Sequence, residues 1–186
     1  MKKIFLLLCI VASTTVTAQN KDYIISMEGI GAIKLNMKQA ELEKLLKKKI
    51  PLTNPMDTVS GSWQDSAKIR YKNIDIELRF QRGYVTNDSF YMFITWIGTS
   101  SPLCKTITGI GIGSDKLKII SAYDGYYLSI QPSYLFSNKE EEIPERSKTM
   151  STISVRKEEE GYTILFNLFK NKVVSFEIFP LYDDEE

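Results

Sequence analysis

The chain of 186 residues contains no histidine. That absence removes Ser-His-Asp and Cys-His nucleophilic pairs, a histidine general base at neutral pH, and histidine-ligated zinc. Cysteine is nearly missing as well. Cys9 lies in the N-terminal apolar run, so Cys104 is the one thiol of the rest of the chain. An internal disulfide framework and a cysteine-rich metal site are both excluded, and Cys104 is either buried as a small hydrophobe or paired with another chain. No apolar run approaches the roughly 20 residues of a membrane-spanning helix, so no membrane span is expected. Charge of one sign is not in excess either, with 24 basic against 23 acidic residues. A nucleic-acid binder needs a concentrated basic face to neutralise phosphates, and nucleic acid is therefore not an expected partner.

What is present begins with export. The segment "MKKIFLLLCIVASTTVTAQN" has Lys2 and Lys3, an apolar run over residues 4–11, and Val16, Thr17 and Ala18 before Gln19. These are the three parts of a secretory signal. Residues 1–18 are expected to be removed, giving a periplasmic or secreted protein that starts at Gln19. Lipidation at Cys9 is disfavoured, because it follows Leu8 inside the apolar run. Taking Lys2 and Lys3 from the 24 basic residues leaves 22 against 23 acidic.

The stretch "TGIGIGSDKLKIISAYDG", residues 108–125, resembles a glycine-rich phosphate loop opening a helix. Its spacing, Gly109, Gly111 and Gly113, fits neither the dinucleotide fingerprint nor the P-loop, and no Gly-Lys-Ser or Gly-Lys-Thr follows. The same tripeptide opens "EGIGAIKLNMKQAELEKLL", residues 28–46, so the glycines are read as a repeated tight turn. The glutamate runs at 140–142 and 158–160 lack the alternating Asp/Asn pattern and central glycine of a calcium loop, and they read as solvated turns. No catalytic, cofactor or metal residues are assigned. A carboxylate enzyme would need two acidic side chains facing each other across a compact pocket.

Periodicity gives the architecture. Leu42, Leu45 and Leu46, with Met37 or Ala40, share a helical face, with Glu41, Glu43, Lys44, Lys47 and Lys48 around the rest. Asn36 with Gln39 is read as a capping box and Pro51 as the stop. Residues 52–65 read as a loop. In "IDIELRF" Ile74, Ile76, Leu78 and Phe80 alternate with Asp75, Glu77 and Arg79, as in an antiparallel strand with one wet side. "FYMFITWI" is apolar on both faces. The order then recurs: an offset of 80 superposes the Gly-Ile-Gly turns, and an offset of 77 sets Leu42 on Ile119 and Leu46 on Tyr123. Ser114 or Asp115 caps this second helix. "TISVRKEEEGYTILFNLFKNKVVSFEIF" reads as three strands with turns at 158–161 and 170–172.

The expected fold is α+β: two tandem repeats, residues 19–100 and 101–186, each a helix packed on a mostly antiparallel β-sheet. Each alone has a thin core, so the sheets join or the units pack face to face. The sheet side away from the helices then carries Asp75, Glu77 and Arg79 with Tyr91, Phe93 and Thr95, and in the second unit Leu165, Asn167, Glu177 and Phe179. Aromatics anchor interfaces and charges select partners. A protein-binding surface of Asp75, Glu77, Arg79, Tyr91, Phe93 and Phe179 is the expectation.

"GIGAIKLNMKQAELEKLL" and "ITGIGIGSDKLKIISAYDG" resemble the segments leading into the helices of the β-lactamase inhibitory protein-like family, small exported proteins in which two repeats each set a helical segment on an antiparallel sheet. "LNMKQAELEKLL" is also similar to the corresponding segment of the small outer-membrane assembly lipoproteins. The resemblance implies architecture. Lys38 stands where such proteins carry a Ser or Thr cap, the inhibitory protein's disulfides have no counterpart, and its inhibitory loops match no residues here. Two functions follow as expectations: an exported, non-catalytic protein-binding module, or a structural or assembly factor of the cell envelope.

Overall fold

A computed structural model describes residues 20–52, 64–86, 89–132, 149–157 and 161–181. The expected signal at 1–18, most of the loop at 52–65, the acidic stretch at 137–148, the glutamates at 158–160 and the acidic tail lie outside the described residues. The elements run β1 (Ile24–Ser26), β2 (Gly29–Ile30), β3 (Ile33–Lys34), α1 (Gln39–Leu46), β4 (Gln64–Tyr71), β5 (Ile74–Thr86), β6 (Ser89–Thr99), β7 (Lys105–Thr106), α2 (Lys116–Ala122), β8 (Tyr127–Pro132), β9 (Met150–Arg156), β10 (Tyr162–Phe169) and β11 (Lys172–Pro180). The class is α+β. Among the described residues no helix is long and apolar enough to cross a membrane.

Seven strands form one antiparallel sheet in the order β4-β5-β6-β11-β10-β9-β8. Its middle seam is β6 against β11, with Thr99 opposite Phe176, Gly98 opposite Glu177 and Ile97 opposite Ile178. Strands from before and after residue 100 thus lie in one sheet. Lys72-Asn73 and Lys170-Asn171 take positive φ at both positions, the two-residue hairpin turn whose twist matches the strands it connects. The first of these turns places β4 beside β5, a strand the sequence reading did not assign although Ala67, Ile69 and Tyr71 alternate with Ser66, Lys68 and Arg70; all three are buried. One face of the sheet is covered by both helices. Leu42 from α1, and Ile119 and Tyr123 at α2, share a single core with Ile76, Phe80, Phe166 and Phe176.

The Gly-Ile-Gly segments are hairpins. β1 pairs with β2 (Ile25 opposite Ile30), and Lys105 faces Gly111 in the same way. β1 and β7 then lie side by side, parallel, in a small sheet ordered β3-β2-β1-β7. At Gly29, with φ of 154°, a Cβ would stand 2.1 Å from the Ile33 carbonyl oxygen, so only glycine fits. Around the second copy the backbone amides are already used. Gly109 donates to the Thr106 carbonyl, Ile110 to Thr106 Oγ1, Gly111 to Ser114 Oγ and Gly113 to the Val173 carbonyl. An open cradle of amides for phosphate is therefore not what this loop presents.

The segment entering α1 is bonded to β6 and the segment entering α2 to β11. The Asn36 amide donates to the Ile94 carbonyl and the Ile94 amide to the Met37 carbonyl, while Gly113 and Ser114 exchange the same bonds with Val173. The cap of α1 differs from expectation. Asn36 sits at φ of 62° with its amide side chain on the Tyr162 hydroxyl, and Lys38 is the N-cap, its amide donating to Glu41 Oε2 at 3.1 Å. Asp115 caps α2 as expected, accepting from the Leu117 amide at 3.0 Å. α1 ends at Leu46 with Lys47 in the left-handed region, before Pro51 is reached.

Glu43 is the other departure. It was placed on the wet side of α1, yet its side chain is only 12 % exposed. Its carboxylate accepts from Lys49 Nζ at 2.6 Å, Gln39 Nε2 at 3.1 Å and the Ile50 amide at 3.2 Å, tying down the turn that follows the helix. The Lys49 bond, against an opposing effect of burial, holds the carboxyl below its ordinary range. A depressed folded value means stability that is complete above the unfolded pKa and lost as pH falls through the folded one. Glu43→Gln is expected to cost about 1 kcal/mol at neutral pH, since Lys49 is solvent-screened. The gap to wild type should close in thermal melts as pH drops below the carboxylate range; a gap that stays constant would contradict this account.

Candidate functional site

The candidate surface is the sheet face away from the helices, and strand parity decides what stands on it. On β5 the buried Ile74, Ile76, Leu78 and Phe80 point to the core, which turns Asp75, Glu77 and Arg79 outward. Gln81 and Gly83 continue this row opposite Phe93 and Tyr91 of β6. Glu177 and Phe179 of β11 share the face, with Phe179 opposite Thr163 of β10.

A β-bulge changes β6. Phe80 pairs with Ile94 and Arg79 with Trp96, so Thr95 is an extra residue on one strand. Thr95 is buried, with its hydroxyl donating to the Arg79 carbonyl at 3.4 Å. Expected as an open position of the outer face, Thr95 is covered, and Trp96 stands opposite Arg79 on that face. From the bulge onward every side chain of β6 changes sides relative to an unbroken alternation.

Two aromatic rings on this face lie over glycines. A Cβ on Gly98 would meet the Trp96 ring at 2.3 Å, and one on Gly83 would meet the Tyr91 ring at 2.5 Å. Each ring also carries a cation: the Arg79 guanidinium is 4.6 Å from the Trp96 ring centre, and Lys38 Nζ is 4.7 Å from that of Tyr91. Tyr91 and Phe93 are neighbours at 5.8 Å. Trp96 is fixed further by its indole N–H, which donates to Glu177 Oε2 at 3.0 Å, while Asn167 Nδ2 donates to Glu177 Oε1 at 2.7 Å. An indole held by a glycine shelf, a guanidinium and a carboxylate has little rotamer freedom left to lose on binding.

Across Gly98 the face is concave, a depression of about 750 Å³ bounded by Lys68, Arg70, Asp75, Glu77, Trp96 and Glu177. Lys68 pairs with Glu77 at 2.7 Å and Arg70 with Asp75 at 3.4 Å, both in the open, so these pairs are weak and exchangeable. Glu177 differs: its two partners are neutral donors. An ionised carboxylate has about four acceptor positions, so Glu177 retains capacity for a further donor. The structure therefore gathers Asp75, Glu77 and Arg79 with Trp96 and Glu177 around one depression. It sets Tyr91 and Phe93 apart, toward the Lys38 end, and Phe179 one residue beyond the last β6–β11 pair. Trp96 is the residue the sequence reading missed; Gly98 two positions on, on the same face, was the available signal.

Cys104 is buried, the first of its two expected fates, and burial pushes its thiol up to about 11. No family model and no curated protein matches the chain. Among solved structures the chain is similar to the uncharacterized protein yfeY from Escherichia coli, at 13 % identity and a TM-score of 0.34, covering 84 % of this chain and 99 % of that one.

Proposed function

We propose that the protein is exported and non-catalytic, and that it binds a protein partner through the outer sheet face around Trp96. The observation that carries the reading is the pinned indole beside Glu177 and Arg79 in an open depression, since rigid aromatic and arginine anchors dominate protein interfaces. The non-catalytic part rests on the surroundings of the carboxylates. Glu77 and Glu177 flank Gly98 on alternate strands, roughly 10 Å apart at the backbone. A general acid at neutral pH needs burial away from cations. Glu77 is 54 % exposed with Lys68 bound to it, the opposite environment.

The same proposal includes a chain built from two repeats of helix and sheet. The equivalent backbone exchanges at Ile94 and Val173, and the N-caps Lys38 and Asp115 at an offset of 77 in the sequence, support it. The second reading is a cell-envelope assembly factor using this face. A charge-reversed variant, Asp75→Lys with Glu77→Lys, leaves the core untouched and is expected to lower partner recovery from an envelope extract at least tenfold. One soluble partner favours the binding module, and a membrane complex favours the assembly factor. Equal recovery by variant and wild type would remove this face from the function.

A further inference from the structure

Away from the sheet face, three aliphatic side chains stand in solvent: Ile107 is 82 % exposed, Leu117 70 % and Leu103 48 %. Leu103, Lys105 and Ile107 alternate with the buried Cys104 and Thr106, so they share the outward side of β7 and the turn after it. Ile107 is at the tip of that turn, which closes with the Gly109 amide on the Thr106 carbonyl. Lys118 of α2 donates from Nζ to the Gly109 carbonyl at 3.2 Å, which ties the hairpin to the helix that carries Leu117. The backbone between them is open to solvent: a Cβ placed on Gly109 or Gly113 would meet nothing within 4 Å. Protruding single side chains do not make a groove for a peptide, but they match a medium that deforms around them.

The charge in the same segment is mostly positive. Residues 102–118 carry Lys105, Lys116 and Lys118 against Asp115. Asp115 is engaged with the Leu117 amide and with Lys172 Nζ at 3.1 Å. Aliphatic tips beside ammonium groups are the composition of surfaces that rest in the headgroup layer of anionic membranes.

We infer that the β7 hairpin and the first turn of α2 dock on an anionic lipid bilayer, inserting Ile107 and Leu117 while Lys118 meets the headgroups. This contact is separate from the sheet face around Trp96, and it is peripheral.

The test is sedimentation of the mature chain with vesicles. The chain should sediment with vesicles of equal parts phosphatidylglycerol and phosphatidylcholine, and weakly or not at all with phosphatidylcholine alone. Ile107→Asp and Leu117→Asp should each lower partitioning about tenfold, the equivalent of losing one inserted side chain. Lys118→Glu should lower it on the anionic vesicles only, and added salt should do the same. Both aliphatic positions are exposed, so unchanged thermal melts are expected and control for folding. Ile107→Trp gives an independent reading: its emission should shift to the blue on anionic vesicles beyond the wild-type change. No sedimentation, sedimentation unaltered by the two Asp variants, or no extra emission shift for Ile107→Trp would overturn the inference. So would loss of a soluble protein partner by the Asp variants without vesicles, which would make the patch a protein interface.

Discussion

Phe166→Ala should destabilise the protein by about 3–5 kcal/mol, the cost of deleting a large buried ring and leaving part of its cavity. Phe166 is fully buried on β10, opposite both Phe176 of β11 and Ile153 of β9. Its ring centre lies 5.5 Å from that of Phe176, the residue opposite Thr99 in the seam, and 5.8 Å from that of Tyr123 at the end of α2. One side chain thus joins the second helix to the joint between the strand groups. Domains of this kind are stable by only about 5–15 kcal/mol, so the change removes a large share of the total. Urea unfolding should show a lower midpoint with an unchanged slope. Phe169→Ala, on the same strand but 42 % exposed, should fall within about 1 kcal/mol of wild type. Equal effects at the two positions would show that the inward face of β10 has been misassigned.

The contrast between β5 and β6 shows what the sequence could and could not reveal. In β5 the wet positions from Asp75 to Gln81 are charged or polar, so parity is written in residue type there, and Asp75, Glu77 and Arg79 stand where alternation puts them. In β6 both faces are apolar, because the outer one carries Tyr91, Phe93 and Trp96, with Tyr91 and Trp96 packed on glycines and cations. Nothing local then marks the extra residue at Thr95, and the faces beyond it cannot be read from period two. The bulge is a tertiary event: it lets β6 pair with β5 along its length while its far end turns to meet β11.

The helices divide in the same way. Leu42 and Ile119, set on each other by the offset of 77, are both fully buried. The periodicity that placed them failed for Leu45, which is 38 % exposed, and for Glu43, which is not on the wet side. An eight-residue helix has too few turns for its apolar stripe to fix the flanks, and two of the donors to Glu43 come from residues after the helix, Lys49 and Ile50. Lys38 as N-cap has no capping side chain of the usual kind; Glu41 reaching back to its amide serves instead. The Gly-Ile-Gly repeat was legible as a structural turn only because it occurs twice. Its hairpin form, and the parallel contact of β1 with β7 that it serves, depend on residues far apart in the chain.

Residues 19–100 alone should fail to form a stable monomer. In the intact chain β6 gives its Ile97, Gly98 and Thr99 backbone to β11, and Ile97 and Ile178 bury each other at the seam. Without residues 101–186, β6 becomes an edge with an uncovered apolar end, a template for pairing with other chains. β1 loses β7, and Trp96 loses the Glu177 carboxylate that orients its indole. What remains is one short helix and the short strands β1, β2 and β3 with β4, β5 and β6, with too little buried area to offset the ordering of some 80 residues. The expected result is a broad, uncooperative thermal transition and association in sedimentation. Mixing in a separately produced chain of residues 101–186 should restore a sharp transition, because the missing contacts are contacts between the two pieces. A sharp transition and a monomeric mass for residues 19–100 by themselves would mean that the seam contributes little, and that the seven-stranded sheet is two independent sheets lying edge to edge.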